Sequence, residues 1–253
     1  MDNTTEYRCC DGSLTTLAGE PEAVDKYNIS AMEQLMADGY CVVLARCSEE
    51  GGVPCLKHHD VAEWHVPRDV PKMLLEEPFR YSWDMRETGQ TRVADVLRHT
   101  QRYNDISKNC KFVSNKVYGI STRPGAPDVG KIHTDYSDAS WSHVRRSEGE
   151  RPGKVMCKHM PVTAIWGPLK SFDVAVFDLE VQCRTCRGKS SRDTPFCDKC
   201  PCTRVHVPEN HVIFLAPWAW HAGGPHTSMW MRYHGYCIPT SMAHVLNRKE
   251  VYD

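Results

Sequence analysis

The chain has 253 residues, a formal net charge of -1 and 41% hydrophobic residues. This length can bury one sizeable hydrophobic core, and single all-β domains of this size are common. The balanced charge gives no argument for a nucleic acid or a membrane surface as partner, and no apolar run approaches the ~20 residues that a membrane-spanning helix needs.

The cysteine content bears on the cellular compartment. The chain has 13 cysteines, and its first residues, Met1 to Glu6, contain neither the basic nor the apolar segment of a secretory signal. Without such a signal, cysteines are expected as reduced thiols and metal ligands rather than as a disulfide framework. We therefore expect a cytoplasmic or nuclear protein with no membrane partner.

Two helices are predicted in the N-terminal half. Residues Ala31 to Ala37 read as a short helix that ends at Asp38-Gly39, since glycine commonly follows the last helical turn. Residues Val93 to Thr100 read as a second helix, in which apolar side chains at 93, 96 and 97 share one face. These helices are expected to flank the main body of the fold.

The second half of the chain has the pattern of a β-protein. From Phe112 onward, short runs rich in β-branched and aromatic residues are broken by Gly and Pro, which is typical of a barrel or sandwich. Val212 to Leu215 reads as a buried strand, and the alternation from Met229 to Tyr236 predicts another with Arg232 facing inward. The prediction is a mainly β fold, formed as a single domain over residues 1–253.

A His-x-Asp pair and a distant histidine form a candidate metal site. His133 and Asp135 are two residues apart, so in a strand their side chains would point the same way. His221 follows the predicted strand that ends at Leu215, and would supply a third ligand from a neighbouring strand. Two histidines and one carboxylate are the facial triad that binds non-haem Fe(II) and leaves positions open for co-substrates.

Arg232 makes this interpretation more specific. An inward-facing arginine is rarely tolerated without a partner, and its planar fork matches a carboxylate. Arg232 lies eleven residues after His221, and the C5 carboxylate of 2-oxoglutarate would be its partner. His-x-Asp alone is a weak motif and a single histidine is more often a hydrogen-bonded core residue. The four residues together predict an Fe(II)/2-oxoglutarate-dependent dioxygenase, an oxidoreductase.

The segment from Val212 to Tyr236 resembles the C-terminal motif of the phytanoyl-CoA dioxygenase-like oxygenases. In that family a strand leads into a His, followed by Gly-Pro, a Ser and an Arg. The matching residues here are His221, Gly224, Pro225, Ser228 and Arg232. The family commonly has Asn where this chain has His226, and only His221 has the family's spacing to Arg232.

The resemblance extends in scattered blocks over most of the chain. Met32 to Leu44 resembles the family's opening helix, turn and first strand, Gly125 to Asp135 resembles its His-x-Asp loop, and Val162 to Trp166 resembles its next core strand. The resemblance implies a double-stranded β-helix (jelly-roll) fold with Fe(II), 2-oxoglutarate and O2. It does not imply the family's substrate, because function depends on the site rather than the fold.

Three hydroxyl side chains are further candidates for binding 2-oxoglutarate. Tyr118 lies in a predicted strand before the His-x-Asp segment, Thr163 lies in the next predicted strand, and Ser228 lies between His221 and Arg232. Each hydroxyl could donate a hydrogen bond to a carboxylate.

Two cysteine pairs predict a structural zinc site. Cys183 and Cys186, and Cys197 and Cys200, form two Cys-x-x-Cys hooks separated by ten residues, and such paired hooks bind tetrahedral zinc. The insert, residues 183–202, has no core of its own, so the metal would hold it together. Cys202 could replace Cys200 as a ligand, and the alternative is two turns with incidental cysteines.

The sequence does not identify the substrate, and it is compatible with two other classes of function. A small molecule is the default substrate. A nucleic acid or nucleobase is the alternative, because residues 183–204 include six basic and two acidic residues, a net charge of +4. The chain could also be a non-catalytic jelly-roll metal-binding module. A hydrolytic zinc site at the same three ligands ranks lower, since Arg232 would then have no evident role.

Overall fold

A computed structural model describes residues 6–8, 14–16, 30–48, 80–84, 90–122, 133–136, 159–177, 202–223 and 230–239. The described strands are β1 (Glu6–Arg8), β2 (Leu14–Thr16), β3 (Tyr40–Leu44), β4 (Arg80–Asp84), β5 (Cys110–Thr122), β6 (Val162–Trp166), β7 (Phe172–Phe177), β8 (Cys202–Val207), β9 (His211–Leu215), β10 (Trp220–Gly223) and β11 (Trp230–Pro239). The described helices are α1 (Ala31–Asp38) and α2 (Gln90–Tyr103). The mainly β prediction is confirmed.

Helix α1 begins and ends where local sequence signals place it. The Ser30 hydroxyl accepts a hydrogen bond from the Glu33 backbone N–H at 3.2 Å, and the Glu33 carboxylate accepts one from the Ser30 N–H at 2.8 Å. This reciprocal pair satisfies two donors that the helix itself leaves unpaired. At the other end Gly39 has φ 77°, a left-handed conformation that glycine adopts without steric cost.

The chain alternates between two antiparallel sheets. A six-stranded sheet has the order β3-β9-β6-β11-β5-β4, and a three-stranded sheet has the order β10-β7-β8. Of the strands from β6 onward, β6, β9 and β11 belong to the six-stranded (large) sheet, and β7, β8 and β10 belong to the three-stranded (small) sheet. This winding between two sheets is consistent with a jelly roll, in which side chains between the sheets form the interior.

Strand β11 lies inside the large sheet, paired with β6 on one side and β5 on the other. Because side chains alternate along a strand, residues 233, 235 and 237 share one face and residues 232, 234 and 236 share the other. Helix α2 packs on the first face: a Cβ at Gly235 would lie 2.5 Å from the Leu97 Cδ1 atom and 3.0 Å from the Phe112 ring. Val93, Val96 and Leu97 of α2 are buried, as the sequence predicts.

The segments for which the sequence predicts structure lie partly inside and partly outside the described residues. Neither described helix is long and apolar enough to cross a membrane. The predicted strand from Val212 to Leu215 is the buried part of β9. The predicted zinc ligands Cys183, Cys186, Cys197 and Cys200 lie outside the described residues, and so does Ser228. Cys202 is described, and it begins β8 as an exposed free thiol.

Replacing Gly235 by alanine is expected to lower the free energy of unfolding by about 1–3 kcal/mol, because the added methyl overpacks the interface between α2 and β11. Urea denaturation of the variant and the wild type measures this change. In a Leu97→Ala background the same substitution should cost clearly less, because the nearest clashing atom is gone. An equal cost in both backgrounds would contradict the packing explanation.

Candidate metal centre

The site begins with a backbone pairing between two distant histidines. The His133 N–H donates to the His221 carbonyl at 3.1 Å, and the His221 N–H donates to the His133 carbonyl at 3.0 Å. The two residues therefore form one hydrogen-bonded antiparallel bridge, in which side chains opposite each other lie on the same side. Their ring centroids are 4.5 Å apart.

The loop that follows His133 is anchored by a tyrosine. Tyr136 is buried, and its hydroxyl lies 2.9 Å from the Val162 carbonyl and 3.3 Å from the Cys237 carbonyl. The two carbonyls, on β6 and β11, share the single O–H donor of Tyr136, which ties the His-x-Asp segment to the large sheet. Burial raises the pKa of Tyr136 well above its ordinary value, so the phenol stays a donor.

His133, Asp135 and His221 come together as the sequence predicts. Each offers one ligand atom, and the three atoms lie within 4.8 Å of one another. The side chains of Asp135 and His221 are 6% and 4% exposed, whereas that of His133 is 34% exposed. The cluster is therefore closed on the Asp135 and His221 sides and reached by solvent from the His133 side.

The His-x-Asp segment does not form a regular strand, in which the side chains of His133 and Asp135 would point the same way. In the structure only His133 pairs, through the isolated bridge to His221, and the chain bends at Asp135 and Tyr136. The tyrosine anchor, rather than a strand ladder, holds the bend in place.

The His221 ring is oriented by a hydrogen bond to the backbone. Its Nδ1 atom lies 2.9 Å from the Ala219 carbonyl, and a carbonyl oxygen only accepts, so Nδ1 carries the hydrogen. Burial lowers the pKa of His221, and this effect outweighs the charge of Asp135, which acts in the opposite direction. The lone pair of the neutral ring is then on Nε2, which is the form that binds a metal.

Asp135 is held in its ionised form despite its burial. Burial alone would raise the pKa of this carboxyl group. The positive charges that His221, His133 and His234 carry when protonated outweigh burial and hold the pKa of Asp135 below its ordinary value. An ionised carboxylate and imidazoles whose protons a metal ion replaces form the donor set that a divalent metal requires.

The contact between Asp135 and His221 indicates whether a cation fits the cluster. The Asp135 Oδ2 and His221 Nε2 atoms lie 3.3 Å apart, and neither has a hydrogen-bond partner among the described residues. When the His221 ring is neutral, Nε2 carries a lone pair rather than a hydrogen, and two electron-rich atoms then face each other inside the protein. A metal ion bound by both would remove that repulsion and satisfy both atoms, so the residues fit the predicted ion.

Arg232 lies beside the metal cluster, on the interior face of β11. The residue is 5% exposed, and its guanidinium packs against Gly223 of β10, where a Cβ would lie only 3.0 Å and 3.1 Å from the two terminal nitrogens. Gly223 is two residues after His221, hence on the same side of β10. The missing side chain at 223 is what allows the planar cation to lie against this strand.

Thr163 and Tyr118, two further predicted binding residues, lie on strands of the large sheet. Thr163 is buried on β6 and lies opposite Tyr236 of β11, so it shares the interior face with Arg232. Tyr118 is on β5 in register with His234.

Sequence reasoning missed three residues that the fold brings to the cluster. His234 and Tyr236 share the interior face of β11 with Arg232, and the Tyr236 hydroxyl donates to the Asp135 Oδ1 atom at 3.3 Å. Gly223 supports the guanidinium from β10. The two-residue period counted onward from Arg232 would have identified His234 and Tyr236, whereas nothing in the sequence pairs Gly223 with Arg232.

Comparison with known proteins gives a likeness in structure alone. No family model matches the chain, and no curated protein matches its sequence. HygX from Streptomyces hygroscopicus with nickel and 2-oxoglutarate bound is 13% identical, covers 83% of this chain and 86% of its own, and gives a TM-score of 0.52. Apo HygX is 16% identical, with coverages of 87% and 88% and a TM-score of 0.51. At these identities the likeness shows a shared fold, and the resemblance to the phytanoyl-CoA dioxygenase-like family stays a prediction.

Replacing Tyr136 by phenylalanine is expected to lower the free energy of unfolding by about 1 kcal/mol, since two buried carbonyls of β6 and β11 lose their donor. Denaturant unfolding of the metal-free protein measures it. Tyr103→Phe is the matched control, because Tyr103 is 51% exposed and should cost little. Equal effects of the two substitutions would contradict the anchoring role.

Proposed function

We propose that this chain is an Fe(II)/2-oxoglutarate-dependent dioxygenase, an oxidoreductase formed as one domain over residues 1–253. The observation that carries the proposal is the buried cluster of His133, Asp135 and His221, whose ligand atoms lie within 4.8 Å of one another. The pKa values of Asp135 and His221 are both lowered, which favours the ionised carboxylate and the neutral ring that a divalent metal needs.

A site with two histidine ligands and one carboxylate ligand favours Fe(II) and leaves coordination positions open for co-substrates. His133, Asp135 and His221 would hold the ion, and the more exposed His133 side would leave room for co-substrates to reach it. HygX, which has a similar fold, is known with iron bound, at a TM-score of 0.50 and 13% identity over 87% of this chain and 88% of its own.

Arg232 is the proposed anchor for the distal carboxylate of 2-oxoglutarate. Its buried guanidinium lies against the strand that carries His221, so one end of the co-substrate can pair with Arg232 while the other reaches the metal. A planar fork pairs with a carboxylate through two parallel hydrogen bonds. Thr163, Tyr118 and Ser228 are proposed as further hydroxyl donors to the same molecule. A hydrolytic zinc site would give Arg232 no comparable role.

When bound, Fe(II) with 2-oxoglutarate and O2 supplies oxidative decarboxylation to succinate and CO2, coupled to hydroxylation of a substrate C–H bond. The protein's own part is to hold the ligands, orient the co-substrate and keep water away. Burial of Asp135 and His221 serves the last of these. The proposed substrate is a small molecule. The nucleic-acid alternative depends on the zinc insert, residues 183–202, of which all but Cys202 lies outside the described residues.

Replacing Asp135 by alanine is expected to abolish the visible metal-to-ligand charge-transfer band that forms when Fe(II) and 2-oxoglutarate are added without oxygen. The substitution removes the anionic ligand, so the metal affinity falls. Asp173→Ala is the matched control, because Asp173 also pairs with a histidine, His206, at 2.7 Å, but on the paired strands β7 and β8 outside the cluster. The control should keep the band, and a band that survives Asp135→Ala would refute the assignment.

A second control addresses the histidine ligand. His211 makes the same kind of bond as His221, from its Nδ1 atom to the carbonyl two residues earlier, at 2.9 Å. His221→Ala should remove the charge-transfer band, whereas His211→Ala should keep it. Equal loss in both variants would point to a general effect on the fold.

Replacing Gly223 by alanine is expected to raise the 2-oxoglutarate concentration needed for half-saturation roughly tenfold or more, since hydrogen bonds to charged groups contribute about 1.5–3 kcal/mol. The added methyl would lie 3.0 Å from the Arg232 guanidinium and displace it. Titration of the charge-transfer band with 2-oxoglutarate measures this shift. Metal affinity without 2-oxoglutarate should be unchanged, and unaltered 2-oxoglutarate affinity would contradict the packing role of Gly223.

A further inference from the structure

Tyr236 makes a contact with the metal cluster that the facial triad does not require. It lies on β11, on the same face as Arg232 and His234, and its hydroxyl lies 3.3 Å from the Asp135 Oδ1 atom. The Tyr236 hydroxyl donates this hydrogen bond to the carboxylate oxygen. A buried strand of the large sheet thereby contacts the one acidic ligand of the cluster.

This bond makes the two carboxylate oxygens of Asp135 different. Oδ1 accepts from Tyr236 and lies 3.6 Å from His133 Nε2. Oδ2 faces His221 Nε2 at 3.3 Å and has no hydrogen-bond partner among the described residues. We propose that Tyr236 is a positioning residue, which holds Oδ1 so that Oδ2 alone binds the metal.

The backbone around Asp135 explains why such a support is needed. The segment 133–136 has one bridge, at His133, and then bends, so no strand ladder orients the Asp135 side chain. Tyr236, in contrast, lies on a strand that is paired on both sides. The rings of Tyr136 and Tyr236 meet edge to face with centroids 6.1 Å apart at 84°, a favourable aromatic geometry. The tyrosine pair therefore links the bent segment to the sheet twice.

The inference rests on the proposed function, since it concerns the same metal site. Partners that orient metal ligands typically change metal affinity or activity by ~10- to 100-fold when they are removed. Tyr236→Phe removes the hydroxyl and keeps the ring against Tyr136. Its effect should therefore appear in metal binding rather than in packing.

The test measures Co(II) binding to the full chain, prepared metal-free, through the visible d–d spectrum. Tyr236→Phe should weaken Co(II) binding ~10- to 100-fold and shift the spectrum, because the carboxylate loses its fixed orientation. Tyr233→Phe is the matched control: Tyr233 is on the opposite face of β11, with its ring centroid 5.8 Å from that of Trp166. The control should keep wild-type affinity and spectrum, and both metal-free variants should unfold at similar temperatures.

A second measurement does not depend on the folding of the Tyr236 variant. The infrared difference spectrum on adding Co(II) to the wild type, compared with that of Asp135→Ala, reports how the Asp135 carboxylate binds. A wide separation of its two stretching bands, as expected for binding through one oxygen, supports the proposal. A narrow separation, as for binding through both oxygens, would overturn it.

The Co(II) measurements distinguish a failure of the positioning role from a failure of the proposed function. Wild-type Co(II) affinity and spectrum in Tyr236→Phe would overturn the positioning role and leave the metal site intact. Undiminished Co(II) binding in Asp135→Ala would instead overturn the proposed function, because the triad would then not be the metal site.

Discussion

The site depends on the reciprocal backbone bridge between His133 and His221. These residues are 88 positions apart in the chain, yet two hydrogen bonds of 3.0 and 3.1 Å set them directly opposite each other. The backbone thereby fixes the direction of each histidine side chain before a ligand binds. Less conformational entropy is then lost on binding than with two freely placed side chains. The bridge also continues the small sheet beyond β10, so the metal cluster sits where the two sheets face each other.

Burial and charge then set the chemistry of that cluster. Burial by itself would raise the pKa of Asp135, but the positive charge of the protonated histidines around it lowers that pKa, and burial lowers the pKa of His221. Shifted pKa values of this kind are typical of functional sites. A cation added to this arrangement would complete it, because it supplies the positive charge that the carboxylate and the two lone pairs share.

Strand β11 connects the core with the site, and its two faces have different tasks. One face packs against α2, where Gly235 allows the close approach of Leu97. The other carries Arg232 and Tyr236 toward the cluster. A strand that is buried on both sides and paired at both edges is rigid, and rigid elements position side chains more accurately than loops do. The arginine and the tyrosine therefore come to the cluster already oriented.

The sequence by itself determined the local elements and the residue types of the site. A helix-end signal identified α1, an apolar run identified β9, and periodicity identified α2 and the strand with Arg232. Metal-ligand chemistry selected His133, Asp135 and His221. Only the tertiary structure decided that His133 pairs through an isolated bridge and not in a strand, that Gly223 lies under the Arg232 guanidinium, and that Tyr236 reaches Asp135. Periodicity reports which face a residue occupies within its own element, whereas these contacts join segments far apart in the chain. Their partners are set by sheet pairing, which a single sequence does not encode locally.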